Sequence, residues 1–126
     1  MQINIPAVRA ELSVAFWRYT NALLAHDTDT IIALFWSSDH ALRYGITENH
    51  YGIEAIATFR RGRRPPPTRL AVTRVVVTSF GTDFGTANSE LRDDTGEQTT
   101  RMSHTWVRFA EGWRIVAAHV SLGPAP

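Results

Sequence analysis

Cysteine is absent from the 126-residue chain. Disulfides, thiolate nucleophiles and cysteine-based zinc sites are therefore excluded, and a cytoplasmic location is the default expectation. Lysine is absent as well, so all thirteen cationic side chains are arginine. Schiff-base chemistry, which needs a lysine amine, is ruled out. Any anion site is left to arginine forks, which meet a carboxylate with two parallel hydrogen bonds. Charge of either sign is scarce in the balance: the formal net charge is +1, which argues against nucleic acid or an anionic membrane surface as a partner. No apolar run approaches the roughly 18 residues of a membrane span, and the opening residues do not read as a basic-then-apolar leader.

What is present is enough to build a core. Hydrophobic residues make up 44% of the chain and charged residues 20%, so residues 1–126 read as one folded domain. The pattern is helices first and strands last. Pro6 suits a first helical turn, and from Ala7 to about Ala25 the positions Val8, Leu12, Ala15, Phe16, Tyr19 and Leu23 keep helical spacing. His26-Asp27-Thr28 interrupts it, and Asp27 or Thr28 can cap a short helix through Ile31, Leu34 and Phe35. Ala41 to Gly52 predicts two short strands around Thr47-Glu48-Asn49. A third helix spans Ile53 to Arg61 and stops at Gly62 and Pro65-Pro66-Pro67. Four longer strands follow, at Leu70–Phe80, Phe84–Arg92, Thr99–Phe109 and Trp113–Leu122, divided by turns. The expected architecture is α+β: a curled antiparallel sheet packed on three helices.

Strand register sorts the candidate polar residues. A turn at Thr95-Gly96 sets Glu90 opposite Arg101 and Asn88 opposite Ser103. A three-residue loop Ala110-Glu111-Gly112 sets Ser103 opposite His119, Arg101 opposite Ser121 and Val107 opposite Ile115. Asn88, Glu90, Arg101, Ser103, His119 and Ser121 then share one face. Leu91, Met102, Trp106, Val116 and Val120 share the other. If the polar face is the concave one it lines a pocket; if convex, it is a wetted surface. The apolar face is either core or a subunit interface, and on the second reading a homodimer or homotetramer is expected.

The stretches Leu42-Arg43-Tyr44-Gly45, Tyr51-Gly52-Ile53-Glu54-Ala55-Ile56, Phe80 to Asn88, Thr105-Trp106-Val107-Arg108, Gly112 to Val116 and Ala117 to Leu122 carry a resemblance over nearly the whole chain. The chain resembles the SnoaL-like, or nuclear transport factor 2-like, cone fold. Within it, it resembles the subfamily that contains the oxalurate-catabolism accessory proteins and AtzH of bacterial cyanuric acid degradation. That resemblance implies a cofactor-independent decarboxylating amidohydrolase that turns 1,3-dicarboxyurea into allophanate, functionally coupled to an amidase. It also implies a catalytic pair, a tyrosine on the first helix and an arginine before a Tyr-Gly step, which falls here on Tyr19 and Arg43.

The chemistry suits that pair. Arg43 can anchor a carboxylate of a small anionic substrate. Tyr19 lies on the inward stripe of its helix, and a phenol hydroxyl can protonate a departing nitrogen. A free phenol, with a pKa of about 10, is a poor base at neutral pH, and a nearby guanidinium stabilises its phenolate. From the polar sheet face, Arg101 can take a second carboxylate, His119 can relay a proton and Asn88 can bind substrate; the bland readings are an ion pair of Arg101 with Glu90 and a structural histidine. Five histidines show no metal-ligand spacing, so no metal is expected. Arg60-Arg61-Gly62-Arg63-Arg64 reads as a solvated turn. The competing function is a non-catalytic accessory or ligand-binding subunit that supports a partner amidohydrolase, since the fold hosts both kinds.

Overall fold

The computed structural model describes residues 1–124. Helix α1 covers Pro6–Leu24, with Pro6 in its first turn and no side-chain cap. His26 takes a positive φ of 54°, which reverses the chain into α2, Thr28–Ala33. Asp27 caps that helix, accepting from the Thr30 backbone N–H at 3.3 Å and from its hydroxyl at 2.7 Å. Strands β1 (Leu42–Tyr44) and β2 (Asn49–Tyr51) form a short hairpin. Helix α3 (Ile53–Gly62) leads to β3 (Leu70–Phe80), β4 (Phe84–Asp93), β5 (Thr99–Phe109) and β6 (Gly112–Leu122).

The six strands make one sheet in the order β2-β1-β6-β5-β4-β3. β3 to β6 form an antiparallel meander, and β1 joins its far edge parallel to β6. Glu90 pairs with Arg101, Asn88 with Ser103, and Ser103 with His119, as the turn arithmetic predicts. The Val107–Ile115 pairing is corrected: Phe109 pairs with Gly112 across a two-residue loop, and Trp106 faces Ile115. A bulge after Thr105 then takes up the missing residue, so the register is restored from Thr105↔Ala117 onward. A second irregularity lies between Val72 and Arg74. Bulges bend strands and increase local twist, which is how a meander of four long strands curls.

The helices cover the face that carries Ala87, Leu91, Met102, Trp106 and Ala118, all buried. Leu12, Phe16 and Tyr19 of α1, Ile31, Leu34 and Phe35 from α2 onward, and Ile56 of α3 complete one core with Trp106 and Ile115. Burying each large side chain contributes about 1.5–3 kcal/mol. α1 sits close enough to β4 that a Cβ at Gly85 would stand 2.7 Å from the Thr78 carbonyl and overlap Leu12. Trp106 and Met102 are therefore buried beneath the helices of their own chain. They do not form the exposed apolar face on which self-association was expected.

Candidate active site

The inner face of the sheet carries one row of side chains across all six strands. Val77 pairs with Ala87, Ala87 with His104, His104 with Ala118, Ala118 with Arg43, and Arg43 with His50. Alternation puts Leu42 and Tyr44 on the other face and turns Arg43 inward. Two alanines in this row, Ala87 and Ala118, flank His104. The row ends in a cavity of about 350 Å³ whose walls include Arg43, Glu48, Arg60, Arg63, Ile31, Leu91, Met102 and Val120. That volume fits a small molecule.

Its polar end is cationic. Arg43 and Arg60 are 5% and 6% exposed, and their positive charges oppose each other. Burial, and then the charge of Arg60, lower the pKa of Arg43. The Arg43, Arg63 and Arg60 guanidiniums stand 4.5, 5.4 and 5.5 Å from the centre of the Phe59 ring, whose π face partly offsets their repulsion. Among the described residues, one carboxylate answers these three cations in the wall: Glu48 Oε1 accepts from Arg43 Nη1 at 3.3 Å. The Thr47 hydroxyl, and then Arg43, hold the Glu48 carboxyl below its usual pKa. His50 Nδ1 lies 3.5 Å from Arg43 Nη1, and burial together with that guanidinium lowers its pKa.

Tyr19 lies behind this wall and is 1% exposed. Its hydroxyl accepts a hydrogen bond from Arg60 Nη2 at 3.2 Å. The arginine bonded to the phenol is thus Arg60 of α3, with Arg43 beside it. Because Arg60 donates, the phenol's own hydrogen is free for another acceptor. The His104 ring meets Tyr19 edge-on at 5.0 Å. Burial, and then the charges of Arg60 and Arg43, push the His104 pKa down to about 3, so the imidazole is neutral. Arg43 Nε, Arg60 Nε and His104 Nδ1 are buried without a hydrogen-bond partner among the described residues. Such groups are costly unless something polar meets them, and two of the three belong to arginines of the cavity wall.

The other three candidates lie elsewhere. Asn88, Arg101 and His119 share a face as expected, but it is the uncovered outer one, and all three are exposed. Arg101 donates to the Leu122 carbonyl at 3.1 Å, and His119 packs edge-on against Tyr44. The helices cover the face with the larger apolar side chains, so these polar residues form the wetted surface. Arg60 and Glu48 stand in the cavity wall instead, and His104 packs against Tyr19. Each left a trace in the sequence. Arg60 continues the buried stripe Ile53, Ile56, Ala57 at helical spacing, and an arginine on such a stripe is unusual. His104 alternates in phase with Met102 and Trp106. Glu48 had no such signal, being a turn residue.

A curled sheet closed by three helices is the nuclear transport factor 2-like fold, and here it encloses a cationic pocket. The AtzH-like family pattern matches residues 1–125, and the chain belongs to that family. It is similar to a cystatin-like fold protein of Burkholderia xenovorans LB400 (42% identity, TM-score 0.93, covering 100% of this chain and 99% of the other). It is also similar to a DUF3225-family protein of unknown function from Pectobacterium atrosepticum SCRI1043 (40% identity, TM-score 0.92, covering 97% and 95%). A nuclear transport factor 2-like protein of Salmonella enterica serovar Typhimurium shares the fold at 22% identity (TM-score 0.74, covering 95% and 93%). No functionally curated protein matches the chain.

Proposed function

We propose that the protein is a cofactor-independent enzyme that decarboxylates a small carboxylated urea, 1,3-dicarboxyurea in the first instance, and releases allophanate. The observation that carries this reading is the pair of buried guanidiniums, Arg43 and Arg60, with Glu48 as the one carboxylate in the cavity wall. Two buried cations are expensive unless an anion compensates them, and an arginine fork is shaped for a carboxylate. Membership of the AtzH-like family adds weight to the choice of substrate.

In the proposed reaction, Arg43 and Arg60 hold the carboxylates of the substrate. The Tyr19 hydroxyl, its oxygen fixed by Arg60 behind the cavity wall, gives its hydrogen through one intervening water to the nitrogen that bears the departing carboxylate. The carbon–nitrogen bond breaks, carbon dioxide leaves, and the nitrogen keeps the proton. The phenolate formed is stabilised by Arg60 and regains a proton from water. Neutral His104 holds the Tyr19 ring edge-on without adding charge. A positioned general acid contributes about 10²–10⁴ in rate, and carboxylate protonation is disfavoured while the guanidiniums hold it.

The test is to incubate the purified chain alone with 1,3-dicarboxyurea and follow carbon dioxide and allophanate. Tyr19→Phe is expected to lose about 10²-fold or more in kcat, and Arg43→Gln to raise KM. Turnover by Tyr19→Phe close to that of the parent, or activity that appears only when a partner amidohydrolase is added, overturns the proposal.

A further inference from the structure

The turn between β1 and β2 brings its own carboxylate onto Arg43. Gly45 N–H donates to the Glu48 carbonyl at 2.8 Å, closing the turn. Glu48 Oε1 then lies against Arg43 Nη1 at 3.3 Å, and Glu48 Oε2 accepts from the Thr47 hydroxyl at 2.6 Å. The carboxylate occupies the space a side chain at position 45 would fill: a Cβ on Gly45 would overlap Glu48 Oε1 and stand 2.7 Å from Arg43 Nη1. Gly45 is not among the residues with positive φ. Its bareness therefore serves space, not backbone conformation.

We propose that the notch between the Arg43 guanidinium and the bare Cα of Gly45 is a carboxylate-binding subsite, and that Glu48 sits in it as a resident surrogate which an incoming ligand carboxylate displaces. Three observations converge on this. The notch already accommodates a carboxylate in hydrogen-bond contact with a buried arginine. It opens on the cavity, whose wall contains both Arg43 and Glu48. Glu48 can leave at little cost, because its side chain is 33% exposed against 6% for Arg43, so solvent receives the displaced carboxylate. The inference rests on the anion-binding half of the function proposed above. It adds where the carboxylate goes and which residue competes with it.

The surrogate lowers apparent affinity by the fraction of time the notch is free. A notch filled nine-tenths of the time weakens binding by about tenfold. Removing the surrogate and blocking the notch must therefore act in opposite directions. The experiment is calorimetric titration of the full chain with malonate, which has two carboxylates and no N-carboxylate to lose. Glu48→Ala is expected to bind malonate about tenfold more tightly. Glu48→Asp should do the same, since it keeps the charge but falls one methylene short. Gly45→Ala should bind more than tenfold more weakly, because its methyl fills the seat for ligand and surrogate alike. It should still fold, since its methyl meets only the ends of flexible side chains; if it does not, the two Glu48 variants decide the matter. Unchanged affinity in both Glu48 variants overturns the subsite. So does tightening by Glu48→Ala alone, which marks a charge acting at a distance, and so does tightening by Gly45→Ala. Arg43→Gln separates the two readings. If it abolishes malonate binding while the Glu48 and Gly45 variants match the parent, only the subsite fails. If malonate binds neither the parent nor Glu48→Ala, the anion site itself fails.

Discussion

Arg60 is the residue on which stability and function pull apart. It is buried, it donates to Tyr19, and its Nε has no partner among the described residues. A buried charge that is incompletely paired costs stability, and replacing it with an apolar side chain of similar volume is often neutral or stabilising. The same incompleteness is what an anion would satisfy. Arg60→Met is therefore expected to leave the urea-denaturation midpoint unchanged or higher. Its malonate affinity should fall by about 10- to 100-fold, as follows from losing hydrogen bonds to a charged group worth roughly 1.5–3 kcal/mol. A variant that is clearly less stable yet binds malonate as well as the parent would show that Arg60 is a structural support for Tyr19 and nothing more.

Elements decide which residues can reach the cavity, and here the sequence was informative in some places and silent in others. The apolar stripe of α1 and the Val- and Thr-rich strands are governed by local spacing, so their extents were readable. The pairing of Glu90 with Arg101 and of Ser103 with His119 followed from turn lengths, although the second held only because the shorter loop at Ala110-Glu111 and the bulge after Thr105 compensate. Which face of the sheet the helices cover was not readable from period-two alternation, because alternation fixes that two faces differ and not which is concave. That is why Asn88, Arg101 and His119 could be offered as substrate-binding candidates with the concave and the convex readings both open. The apolar face of Met102 and Trp106 had the stronger claim on the helices, and His104 was carried in with it. The proximity of Arg60 to Tyr19, forty-one positions apart in sequence, is a tertiary fact with no local signature. α3 depends in turn on Gly52, whose φ of 87° lies where side chains are strained, with the Asp39 carbonyl 3.4 Å from where a Cβ would be. Gly52→Ala is expected to cost about 1–3 kcal/mol and to misplace Arg60. Thermal unfolding should shift downward, and malonate affinity should fall with it. A lower melting temperature with full affinity would show that the entry to α3 does not orient Arg60.

At the scale of the whole molecule, the core has few titratable members, and His104 is the one whose protonation state differs most between folded and unfolded chains. Folding holds it neutral with a pKa of about 3, whereas the unfolded side chain titrates near 6.5. Between those values the unfolded chain binds one more proton than the folded one, so stability rises with pH and falls as the solution is acidified. The stabilisation is fully present above about pH 6.5 and is lost progressively toward pH 3. One proton corresponds to about 1.4 kcal/mol per pH unit, so acidification from pH 7 to 5 should lower the unfolding free energy by about 2 kcal/mol. His50, also held below its usual pKa, adds to the same sense. The depressed carboxyls of Glu48 and Asp93 respond mainly below the ordinary carboxylate range, near 4.5 and 3.8, so the interval from pH 7 to 5 isolates the histidines. Urea unfolding of the parent and of His104→Gln at both pH values checks the assignment. Lower stability of the variant at either pH does not affect the test, which compares slopes: the parent should lose about 2 kcal/mol on acidification and the variant only a small part of that. Equal losses in the two proteins would mean that His104 takes up its proton in the folded state. The imidazole would then be a cation beside Arg43 and Arg60, and Tyr19 would sit in a far more positive site than the one described.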